Sequence, residues 1–137
     1  MRALLLSLLL LSACKQQEQQ PNAVDAPVAA MTGVYAGTGR DRLCYNADSK
    51  RMGMITFGAA ETNCAIRGSF DGSSLKPDGD TMCQVPVAIE ANRITLINQG
   101  GAECAYYCGP NASYAGKTFD RMDNQPPATD IAGDPLC

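Results

Sequence analysis

The sequence predicts an all-β domain, a small antiparallel meander closed as a barrel or stacked as a sandwich and stabilised by disulfides. Three observations carry that expectation. Apolar side chains recur at every second residue, the period of a half-buried strand. Clusters of turn formers separate the apolar runs at intervals that suit a meander. Seven cysteines lie in a chain of 137 residues, a density that points to cross-linking in a small exported domain.

The elements follow in order. Residues 34–36 and 43–46 are short apolar runs, and residues 54–57 form a run of β-branched and aromatic residues. Ile66, Gly68 and Phe70 alternate with Ala65, Arg67 and Ser69, so one set faces inward. Cys83, Val85, Val87 and Ile89 alternate in the same way with Gln84, Pro86, Ala88 and Glu90. Pro86 falls in the outward set, which suits an edge or a bulge because proline gives no ladder donor. Residues 94–97 form the next run, and Ala91-Asn92 between the two is a tight hairpin. Asn46-Ala47-Asp48-Ser49, Asp71-Gly72-Ser73-Ser74, Pro77-Asp78-Gly79-Asp80 and Asn98-Gln99-Gly100-Gly101 are read as turns. The expectation is about seven or eight strands.

The first fourteen residues differ from everything that follows. Arg2 is followed by an apolar run over residues 3–11 that only Ser7 interrupts, and the run closes on Leu11-Ser12-Ala13-Cys14. It is too short to span a bilayer, which takes about 20 residues, and has the length of an export signal. The segment resembles the lipobox of bacterial lipoprotein precursors. That resemblance implies a signal peptide over residues 1–13, cleavage before Cys14, and diacylation of the Cys14 sulfur with palmitate-type chains. It further implies anchoring in the bacterial envelope. Lys15, in place of the aspartate associated with inner-membrane retention, directs the expectation to the outer membrane facing the periplasm.

The remaining chain divides into a lipidated flexible tether over 14–31, a β domain over 32–121 and a proline-rich tail over 122–137. The tether reading rests on Lys15-Gln16-Gln17-Glu18-Gln19-Gln20 and on Pro21 and Pro27, which offer neither an apolar period nor a helix. The tail carries Pro126, Pro127 and Pro135, and is read as extended over the domain and fixed by a disulfide at Cys137.

With Cys14 given to lipid, Cys44, Cys64, Cys83, Cys104, Cys108 and Cys137 form an even set for three disulfides. Six cysteines allow fifteen pairings. Alternation of strand direction disfavours Cys64–Cys83, and Cys137 must reach back to close the third loop. Cys104 and Cys108, four apart in what reads as a strand and turn, are expected to bond different partners, since such residues lie about 13 Å apart.

Functional classes narrow by composition. The chain carries 11 Lys and Arg against 14 Asp and Glu, a formal charge of −3, which excludes the basic face that nucleic acid needs. It contains no histidine, so Ser-His-Asp and Cys-His chemistry is unavailable. Asp71, Asp78 and Asp80 lie in turn sequences rather than in a calcium-loop pattern. No metal or cofactor is expected. Tyr106, Tyr107 and Tyr114 form the candidate contact surface, because tyrosine provides rigid amphipathic area.

Small lipid-anchored, disulfide-bonded β-barrels with tyrosine near cysteine look like the periplasmic inhibitors of c-type lysozyme. Those present a Ser-Gly-x-x-Tyr loop, whereas this chain has Ser113-Tyr114-Ala115-Gly116, in a different order and spacing. The leading expectation is a non-catalytic envelope lipoprotein, a binding or structural module held to the membrane by its lipid, with a protein or cell-wall ligand. Inhibition of lysozyme-type enzymes is the alternative.

Overall fold

A computed structural model describes residues 31–137 of the chain. The signal and tether readings, including Cys14, lie outside the described residues except at Met31, which is not tether but part of the buried core, where its carbonyl accepts from the Tyr35 hydroxyl. Eight strands run β1 (Gly33–Ala36), β2 (Arg42–Asn46), β3 (Arg51–Phe57), β4 (Asn63–Phe70), β5 (Ser74–Pro77), β6 (Val85–Glu90), β7 (Arg93–Leu96) and β8 (Thr118–Met122). Each pairs antiparallel with the next, and β8 pairs with β1, so the meander closes as a barrel. Closure removes the sheet edges, which leaves no sandwich.

Inward positions fill the barrel. Tyr35, Leu43, Met52, Met54, Ile66, Leu75, Val85, Ile94, Leu96 and Phe119 are buried in one cluster. Alternation is clean in β4, where Cys64, Ile66, Gly68 and Phe70 are buried between more exposed neighbours. It fails in β2 and β3, which bury Cys44 and Ile55 on the outer face as well. The reason is the tail. Residues 123–137 fold back across this wall, where Ala128 and Leu136 form a second buried cluster with Cys44 and Ile55.

The tail is not simply extended. Thr129 bridges Pro135, the Leu136 N–H donates to Ala128 O at 2.9 Å, and Asp130 Oδ1 accepts from the N–H groups of Ala132 and Asp134. The result is a small hairpin lying on the barrel as a strap. Gly53 of β3 makes the fit possible, because a Cβ there would sit 2.1 Å from Leu136 O.

Two strands depart from the sequence reading. β5 forms where turn residues were expected, and its Leu75 is fully buried. β8 places Phe119 inward between polar residues and closes the barrel. Pro86 sits in a closed sheet, but just beyond the end of the β6–β7 ladder, which begins at Val87↔Leu96. There its carbonyl accepts from the Ile97 N–H at 2.9 Å, and the reciprocal donor that proline lacks falls past the last rung of that ladder. The Ala91-Asn92 hairpin forms with Ala91 at φ 48°.

Candidate functional site

The six cysteines of the barrel form Cys44–Cys137, Cys64–Cys108 and Cys83–Cys104. Cys104 and Cys108 do bond different partners, but the strand geometry offered for that was wrong. Ala102–Tyr107 is a 3-10 helix, entered through Gly100 and Gly101 at φ 74° and 106°. Its two ends are therefore pinned separately, Cys104 to the segment before β6 and Cys108 to the start of β4.

This helix divides the expected tyrosine surface. Tyr106 is 89% exposed and meets Tyr107 edge-on with ring centroids 5.6 Å apart. The Tyr107 hydroxyl donates to Asp80 Oδ2 at 2.7 Å, while Asp80 Oδ1 accepts from the Met82 and Cys83 N–H groups. Burial first, and then this bond to Asp80, push the Tyr107 phenol up to about 12. Tyr114 does not belong to the contact surface. It is fully buried, and its hydroxyl donates to Gln99 O at 2.9 Å, so burial carries its phenol up to about 12 as well. A buried tyrosine that satisfies its hydroxyl on backbone is a core residue. Met82, whose N–H bonds Asp80, carries an exposed side chain, at 67%.

The aspartates that the sequence singled out are structural. Asp71 accepts from the Ser73 and Ser74 N–H groups and pairs with Lys76 at 2.8 Å. Its carboxyl is held well below the usual carboxylate range, first by Lys76 and then by the Ser73 N–H. Asp78 takes both guanidinium nitrogens of Arg51 and is lowered by that bond. No group of three or more potential metal ligands forms among the described residues.

The clearest concavity was not legible in the sequence. It is a cleft of about 620 Å³ between the β2–β3 turn and the β4–β5 turn. Its floor is Tyr45 and Phe70, edge-on at 5.4 Å, and its rim carries Ala47, Lys50 and Lys76. Asn46 Oδ1 accepts from the Asp48 and Ser49 N–H groups, which shapes the first turn. Lys50 is held at φ 52° by bonds at both ends of its peptide units, its N–H to Ala47 O and its carbonyl from the Phe70 N–H. The chain enters the barrel beside this cleft, where Thr32 Oγ1 accepts from the Ala47 N–H at 2.9 Å. The cleft is closed below by two nearly buried core aromatics, Tyr45 and Phe70, and its rim carries the charged Lys50 and Lys76.

No family model, curated protein or solved structure matches the chain.

Proposed function

We propose that the chain is a lipid-anchored envelope protein whose barrel is a non-catalytic binding module, with the Tyr45–Phe70 cleft as its ligand site. The observation that carries this reading is the cysteine pairing. All six barrel cysteines are consumed in three disulfides, which suits an oxidising compartment, and Cys14 is the seventh. A sulfur at the end of an apolar export-type run, with no intrachain cysteine left for it, is suited to acylation.

The binding half of the reading has separate support. Asp41, Asp71, Asp78, Asp80 and Asp120 each accept from a structural donor, which commits those carboxylates to the fold rather than to acid–base work. The cleft adjoins the point where the tether enters, so the ligand site is carried at the anchored end of the chain.

Metabolic labelling with palmitate in a bacterial host tests the anchor. Wild type is expected to take up label and to sediment with envelope membranes. Cys14→Ser is expected to lose the label and to remain as an unprocessed precursor or a soluble export product. Equal labelling of the two forms would overturn the reading.

A further inference from the structure

The three disulfides differ in access. Cys64, Cys83 and Cys104 are fully buried, and Cys108 is partly buried beside Cys64. Cys137 is exposed, and Cys44 lies 5% exposed beneath it. Both residues line a shallow cleft of about 250 Å³ whose walls include Val34, Pro127 and Pro135. Of the three bridges, this one joins an exposed cysteine at the surface of the barrel to a partner on its outer wall. Cys83–Cys104 differs, because both of those residues are closed off from solvent.

We propose that Cys44–Cys137 is a thiol–disulfide exchange site for dithiol reductants, opened and reclosed while the other two bridges stay intact. One thiolate of the dithiol attacks Sγ of Cys137, the exposed residue of the pair, and forms a mixed disulfide. The Cys44–Cys137 bond breaks, its electron pair leaves on Cys44 Sγ, and that thiolate takes a proton from water. The second thiol of the reductant, once deprotonated, attacks its partner sulfur in the mixed disulfide and releases Cys137 as a thiolate, which is protonated in turn. The barrel gains two electrons and two protons, and the dithiol becomes a disulfide.

The consequence is confined to the strap. Its covalent pin is gone, and its hydrogen bonds are largely its own, such as Leu136 N–H to Ala128 O. To the barrel it keeps the Arg67–Pro135 contact at 3.5 Å and the burial of Leu136 and Ala128. Lifting it uncovers Val34, Ile55 and Phe57 on the outer wall. The closed ladder from β1 to β8 does not depend on the strap and remains.

The test uses the oxidised full chain carrying Cys14→Ala, which removes the seventh sulfur. It is exposed to dithiothreitol under native conditions, quenched with N-ethylmaleimide and mapped by peptide mass. Cys44 and Cys137 are expected to label at least about tenfold faster than the other four cysteines, at a rate that rises linearly with thiolate concentration. In a parallel arm with glutathione, the mixed disulfide is expected on Cys137. Simultaneous labelling of all six, earlier labelling of Cys64 or Cys83, or a rate independent of dithiothreitol would overturn the proposal. Glutathione found on Cys44 instead would overturn the assigned point of attack.

Discussion

Tyr107 adds a polar tie between two segments that Cys83–Cys104 already links, through the bond from its hydroxyl to Asp80. The phenol sits at about 12 in the folded protein against an ordinary value of 10.0. The folded state therefore holds that proton more tightly than the unfolded state. The resulting stability is complete below pH 10 and is lost as pH rises towards about 12. Tyr114 titrates in the same window. Tyr107→Phe is accordingly expected to flatten part of the alkaline fall in thermal midpoint; a wild-type and a variant curve of identical slope would contradict the assignment. Thr56 poses the opposite case. Among the described residues its Oγ1 is the buried side-chain atom without a hydrogen-bond partner. Valine keeps the shape and removes the orphan hydroxyl, so Thr56→Val should stabilise the domain by about 1 kcal/mol in denaturant melts. A loss of stability would mean that the hydroxyl has a partner.

At the scale of the element, the strap explains why β2 and β3 bury both faces. Its contact with β3 requires glycine. A Cβ at Gly53 would overlap Leu136 O, and the obstructing atom is backbone, which cannot swing aside. Gly53→Ala is expected to displace the strap and cost about 1–3 kcal/mol, in the range of overpacked sites. Proteolysis should then cut residues 123–137 faster than in wild type, and an unchanged cleavage rate would refute the contact. The same elements show what the sequence made legible. β4 and β6 declare themselves because their inward residues alternate without interruption from Cys64 to Phe70 and from Cys83 to Val87. β5 does not, because its two buried residues are Leu75 and Pro77, the second a turn former by type, and only pairing with β4 and β6 makes a strand of them. β8 is hidden as well, with Phe119 alone facing the core among charged neighbours. The helix at Ala102–Tyr107 is set by two left-handed glycines, and its sequence carries no helical period. The cleft over Tyr45 and Phe70 was illegible because its floor comes from strands that are distant in sequence and meet only through the β2–β3–β4 register.

For the whole molecule, disulfides and barrel closure do complementary work. The bridges span 93, 44 and 21 residues, so each removes about 3–5 kcal/mol of unfolded-chain entropy. Two of them tie the Ala102–Tyr107 helix to the barrel, and the third ties the strap. This division lets one bridge exchange without loss of the fold. Cys14 is the seventh cysteine of the sequence, and its acylation is the core of the proposed function. Mass spectrometry of the mature chain extracted from bacterial membranes tests that claim most directly. The account predicts a mature N-terminus at Cys14 carrying a diacylglyceryl group, with the other six sulfurs found as 44–137, 64–108 and 83–104 pairs. A chain that retains Met1 with an unmodified Cys14, or one in which Cys14 is bonded to a barrel cysteine, would contradict it.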